Sequence, residues 1–227
     1  GASSVLILME FGRATLAAKH LAVNVSRASA LRAQRGLMKS LFIEKNISYD
    51  GTQLRSLFAY MDFGLQGDSI VSWVGPCNVS FDHMVDGEDL LAKAEIRGGQ
   101  MVHFIVECFS TSLAEMVWQQ RLLASLVHDF IIEKGRVAGS IPVVRRDGDD
   151  VFVKLPSGEG KFSISIATVS PVSGLMHFAV NVTNHGTPVP TASLDDLGLQ
   201  APEFARENLK RFVVELESVR GGTSKVR

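Results

Sequence analysis

The side chains able to do chemistry fall at alternate positions of three strand-like segments. In residues 161–167, Phe162, Ile164 and Ile166 form an apolar register, and Lys161, Ser163 and Ser165 form the other. In residues 176–183, Met176, Phe178, Val180 and Val182 alternate with His177, Ala179 and Asn181, and in 101–109 His103, Ile105 and Glu107 alternate with Val102, Phe104 and Val106. Successive side chains of a strand point to opposite faces. With a hairpin through Ser170-Pro171-Val172-Ser173-Gly174, Lys161, Ser163 and Ser165 are expected on one face with His177 and Asn181. That face offers a cation, hydroxyl donors, imidazole acceptors and an amide, a mixture suited to a polar small molecule. The bland alternative is a solvated sheet face. Against it, Ser, His and Asn are poor strand formers beside the Thr, Lys and Glu usual on an exposed face.

Other constellations carry less. His83, His128 and His185 lack partners at metal-ligand spacing, so no metal site is expected. Gly158-Glu159-Gly160-Lys161 lacks the spacing of a phosphate-binding loop and leads into a strand. Four serines, Ser163, Ser165, Ser170 and Ser173, stand near His103 or His177 only in sequence, and no nucleophile elbow is present. Cys77 and Cys108 lie in apolar strand contexts and read as buried free thiols.

Several elements must position these residues. A first strand covers 40–44, and a helix is expected over 52–61 from the spacing of Leu54, Leu57, Phe58 and Met61. A strand over 69–74 should break at Gly75-Pro76, and residues 86–94 look helical. Ser112-x-x-Glu115 is a capping box, in which hydroxyl and carboxylate satisfy free N–H groups at a helix start. The apolar stripe Met116, Val117, Leu123, Leu126, Val127, Phe130 and Ile131 follows, with Gly135 expected to close the helix. Strands over 141–145 and 151–155 flank the tight turn Asp147-Gly148, and a last helix covers 202–219. Long antiparallel strands with a few separate helices predict an α+β fold, with a mostly antiparallel sheet and helices packed on one face.

The 227 residues, 46% hydrophobic, suffice for one core. The near-neutral formal charge of −1 gives no electrostatic sign of nucleic-acid binding. No apolar run approaches the roughly 20 residues that cross a bilayer, and a cytoplasmic protein with a small-molecule ligand is expected. Residues 1–37 hold one acid, Glu10, against five basic residues, a composition break that reads as an N-terminal extension outside the core. Residues 38–227 then form a single domain, with Met38 opening its first strand.

Several motifs carry a resemblance: Asp50-Gly51-x-Gln53-Leu54-Arg55-Ser56-Leu57, Gly67-Asp68-Ser69-Ile70-Val71, Gly75-Pro76-Cys77-Asn78-Val79, His103-Phe104-Ile105-Val106-Glu107, Gln120-Arg121-Leu122-Leu123, and Ser163 to Ser173. Together they resemble the domain-of-unknown-function family DUF366 from Met38 to the C-terminus. This family in turn resembles the biotin and lipoate protein ligases and the class II synthetase catalytic core. The resemblance implies a ligase- or acyltransferase-like enzyme acting on a small carboxylate or acyl-adenylate, with ATP or an acyl-adenylate as co-substrate. By strand order Lys161 takes the place of the ligase lysine that holds the substrate carboxylate. Arg55 would stabilise charge beside it, His103 or His177 would handle protons, and Gln53, Ser163, Ser165 and Asn181 would orient the substrate. The ligases' glycine- and arginine-rich adenylate loop is absent, and Asp50 to Arg55 stands in its region. The alternative is a non-catalytic module binding a small metabolite or nucleoside on the same face.

Overall fold

The computed structural model describes residues 37–93, 96–184 and 189–225. The expected extension over residues 1–37 and His185 therefore lie, Leu37 excepted, outside the described residues. Strands β1 (Lys39–Ile43), β2 (Ser69–Val79), β3 (Ile96–Phe109), β7 (Ser163–Val169) and β8 (Ser173–Asn181) form a sheet in the order β1-β2-β3-β8-β7. Only β1 and β2 run parallel; the other neighbours are antiparallel. A second, three-stranded sheet contains β4 (Val144–Asp147), β5 (Asp150–Leu155) and β6 (Gly158–Lys161). The fold is α+β and mostly antiparallel.

Alternation along the central strands makes two cores. Val102, Phe104, Val106, Met176, Phe178 and Val180 face the long helices α3 (Leu113–Ala138) and α4 (Ala201–Gly222), with Phe130, Phe204 and Phe212 between the layers. At the start of α3 the capping box forms as the sequence requires: Ser112 Oγ accepts from the Glu115 N–H, and Glu115 accepts from the Ser112 N–H. Gly135 does not end this helix. It lies against Pro142, with no room for a Cβ, while Gly139 at φ 76° forms the left-handed cap.

The opposite face is not open. Trp73, Ile105, Ala179 and Tyr49 form a second cluster there, covered by the loop after β1 and the short helix α1 (Phe58–Phe63). The helix expected over 52–61 is reduced to α1, because Leu57 at φ 63° breaks helical geometry and its N–H binds the buried Glu107 carboxylate at 2.8 Å. Strand β2 continues through Gly75-Pro76, where the expected break becomes a register shift between Pro76 and Cys77. There the loop after β1 crosses the strand. A Cβ on Gly75 would stand 1.9 Å from the Ile47 carbonyl oxygen, the same oxygen that accepts from Trp73 Nε1 at 2.8 Å. Tyr49 then pairs with the strand edge through Tyr49 N–H to the Pro76 carbonyl and Asn78 N–H to the Tyr49 carbonyl. Cys77 and Cys108 are buried and unbridged.

Candidate functional site

On this second face lies a cavity of about 310 Å³. One wall is Ile164, Ile166 and His177 of the large sheet with Tyr49 of the loop after β1; another is Asp150 and Lys161 of the small sheet with Asp149 of the turn before β5. Its third side is the connection between β2 and β3, with the 3-10 turn Phe81–His83 and helix α2 (Gly87–Ala92), which contributes His83, Asp86, Glu88 and Asp89. Two sheets and one connection thus converge on a space of small-molecule size.

Two histidines lie on and behind the first of these walls. His103 is fully buried; its Nε2 lies 3.1 Å from the Gly75 carbonyl oxygen and its Nδ1 lies 3.1 Å from His177 Nε2. Burial holds both rings neutral, His103 down to about 4 and His177 well below the usual imidazole range. The tautomers follow. A carbonyl can only accept, so His103 Nε2 donates, His103 Nδ1 accepts, and His177 Nε2 donates to it. His177 Nδ1 is left as a lone pair with no protein partner among the described residues. Tyr49 stacks on the His177 ring at a centroid distance of 3.7 Å and 11° between planes, while Trp73 stacks on His103 at 5.3 Å.

The charged rim is mostly acidic. Lys161 Nζ lies 2.8 Å from Asp150 Oδ2. Asp149 accepts from Gln120 at 2.9 Å and Ser165 at 2.6 Å and pairs with Arg121. Asp86 caps α2 by accepting from the N–H groups of Glu88 and Asp89. Asp89 has no hydrogen-bond or ion-pair partner among the described residues, and burial, with Asp86 close by, raises its carboxyl above the usual range.

The expected residues are only partly brought together. Lys161, Ser165 and His177 line the cavity, and His103 stands directly behind His177. Ser163 and Ser165 do not share their face. Ser163 pairs with Val180 and Ser165 with Phe178, whose side chains point to the long helices. Ser163 Oγ accepts the Val151 N–H, and Ser165 Oγ is bound between Gln120 of α3 and Asp149 at the cavity edge. The expected single strand from Lys161 is in fact two, β6 and β7, broken at Phe162, so Lys161 and Ile164 line the same cavity, Ser163 between them turns away, and Ser165 reaches only its edge, beside Asp149. Arg55 is half-exposed, pairs with Asp62 at 2.9 Å, lies over the Phe58 ring and does not line the cavity. The Gln53 amide closes its own loop, accepting from the Asp50 N–H and donating to the Ser48 carbonyl. The Asn181 amide donates to the carbonyls of Lys161 and Ala192 at 3.2 Å each. These amides fix backbone, Asn181 at the break itself.

Tyr49 and the carboxylates Asp86, Glu88, Asp89, Asp149 and Asp150 are among the lining residues that sequence reasoning missed. A weak signal exists for two of them: Asp149 and Asp150 follow the Asp147-Gly148 turn, and a hairpin end rich in carboxylate is a place where charge gathers.

A mostly antiparallel sheet, helices on one face and a cavity at a two-sheet seam on the other define an α+β protein with a candidate small-molecule site. The family model for the domain of unknown function DUF366 matches residues 38–227, and the chain belongs to that family. A protein of unknown function from Pyrococcus horikoshi is similar at 41% identity and a TM-score of 0.75, over 84% of this chain and 98% of that one. An uncharacterized protein of Methanocaldococcus jannaschii is 28% identical over 80% of this chain and 81% of its own length. Biotin protein ligase from Aquifex aeolicus, solved with biotin and ATP, is also similar, at 15% identity and a TM-score of 0.49 over 81% of this chain and 72% of that one. Among the described residues no helix is long and apolar enough to cross a membrane.

Proposed function

We propose that the chain is a ligase- or acyltransferase-like protein that binds a small carboxylic acid in the cavity at the seam, with Lys161 holding the carboxylate. The observation that carries this is the position of Lys161. Among the described residues it is the one lysine or arginine lining the cavity, and it faces apolar Ile164 and Ile166 across a space of ligand size. An ammonium on a flexible stem reaches a carboxylate or a developing acyl oxyanion by exchanging Asp150 for it. ATP or an acyl-adenylate would supply activation.

The experiment begins with native mass spectrometry of protein purified from cells, to identify a retained acid. With that acid, a ligase exchanges labelled pyrophosphate into ATP in an acid-dependent manner. Lys161→Ala is expected to weaken acid binding about tenfold, or about 1.4 kcal/mol. Stability should change by no more than about 0.5 kcal/mol, as for a partly exposed ion pair. Unchanged affinity for an acid bound in this cavity removes Lys161 from the site.

The acidic rim favours a second reading, a non-catalytic module for a small metabolite. No second cation lines the cavity among the described residues to meet a nucleotide's phosphates, and Gln53, Asn181 and Arg55 are engaged elsewhere. Acid binding without any pyrophosphate exchange supports it.

A further inference from the structure

The cavity wall is, apart from Lys161, a surface of acceptors. His177 is 3% exposed, its Nε2 is committed to His103, and the lone pair on Nδ1 is the ring's remaining polar atom at the cavity. It has no partner among the described residues and is not sealed from the cavity. The chain from the Gly75 carbonyl through His103 fixes the ring so that this atom accepts and does not donate. Asp89 presents to the cavity a carboxylate with no hydrogen bond or salt-bridge contact among the described residues, the Lys161 ammonium acting on it only at longer range. Of the other lining carboxylates, Asp86 is engaged by the start of α2, Asp149 by Gln120, Ser165 and Arg121, and Asp150 by Lys161, while Glu88 is exposed to solvent.

An acceptor-only histidine and a carboxylate without a salt bridge facing one open cavity call for a ligand that brings the donors, and the excess of negative charge calls for those donors to be cationic. We infer that the ligand of this cavity is an amino-carboxylic acid: its carboxylate meets Lys161, and its protonated amine meets Asp89, with an N–H or O–H placed on His177 Nδ1. This rests on the carboxylate reading above and adds the amine. Tyr49, stacked flat on His177, leaves the apolar stem to run over Ile164 and Ile166.

Three probes of one length separate the parts: 6-aminohexanoate, hexanoate and hexylamine, each titrated at millimolar concentration by ligand-observed saturation-transfer NMR. The full chain, Asp89→Asn and Lys161→Met are compared. The full chain should bind 6-aminohexanoate on the order of tenfold more tightly than hexanoate, and Asp89→Asn should remove that preference by weakening 6-aminohexanoate without weakening hexanoate. Equal binding of hexanoate and 6-aminohexanoate, indifferent to Asp89→Asn but weakened by Lys161→Met, overturns the amine and leaves the carboxylate reading standing. Hexylamine binding as tightly as 6-aminohexanoate, unaltered by Lys161→Met, overturns the carboxylate reading and with it the amino acid. No detectable binding of any probe overturns both.

Discussion

At the scale of single residues, the paired histidines have a consequence that a pH titration reads. Unfolding releases both rings to water, where they titrate near the ordinary value of about 6.5. In the fold burial holds His103 neutral down to about 4 and His177 lower still. Between those limits the unfolded chain binds protons that the folded chain does not, so stability is full above about pH 6.5 and falls as the pH drops toward 4. The slope approaches about 1.4 kcal/mol per pH unit for each ring. Urea midpoints measured from about pH 7.5 to about pH 5 check it; a flat profile would show that the rings titrate in the native state. Glu107 makes a second case. Its buried carboxylate accepts the Leu57 N–H and Ser173 Oγ, the latter at 2.6 Å, and so holds the left-handed residue that opens α1. Glu107→Ala should cost about 2 kcal/mol, the range for orphaning buried donors, measured by denaturant unfolding. Alternation marked His103 and His177 as the polar positions of their own strands, whereas Lys161 reaches the same cavity in spite of the break at Phe162. Alternation could not show that the Gln53 and Asn181 amides turn to backbone carbonyls, because such local bonds depend on which loops cross nearby.

At the scale of elements, the face of a strand can be read from sequence only while its register is unbroken. One irregular residue, Phe162, buried in the helix-side core, shifts the phase between Lys161 and Ser163, so that Ser163 and Ser165 of β7 change face. Nothing in Lys161-Phe162-Ser163 marks the break; it follows from tertiary pairing, with Phe162 N–H bound to the Val151 carbonyl and the Asn181 N–H to the Phe162 carbonyl. The capping box of α3 was legible because both of its partners lie within four residues. Gly135 misled for the opposite reason: its missing side chain makes room for Pro142, a tertiary demand in the guise of a helix stop. Gly75 is the comparable position on the site face. Gly75→Ala sets a methyl group against the Ile47 carbonyl, and the loop carrying Tyr49 must shift. A loss of about 3 kcal/mol is expected from this overpacking, with Trp73 fluorescence reporting the displaced Ile47 acceptor. Wild-type stability and an unaltered spectrum would show that the loop crosses elsewhere.

At the scale of the whole molecule, the α+β class and its antiparallel bias were legible from strand lengths and the scarcity of helices between strands. The division into two sheets was not, since β6 and β7 are contiguous in sequence but for Phe162. The family match over residues 38–227 motivates one prediction for the entire chain: removal of residues 1–37 should leave the melting temperature within a few degrees of its original value. A large drop, or insolubility, would make that segment part of the fold. The seam itself has a kinetic consequence. Lys161 and Asp150 belong to the small sheet, His177 and Ile164 to the large one, and the covalent link along this wall is a single residue. Whatever lodges between them is a rivet joining two plates, and it must be broken before the smaller plate can lift. Amide deuterium uptake in β4, β5 and β6 should therefore slow when the cavity is filled, while uptake at the centre of β3 stays as it was, so that the protein announces its occupant through the breathing of a hairpin.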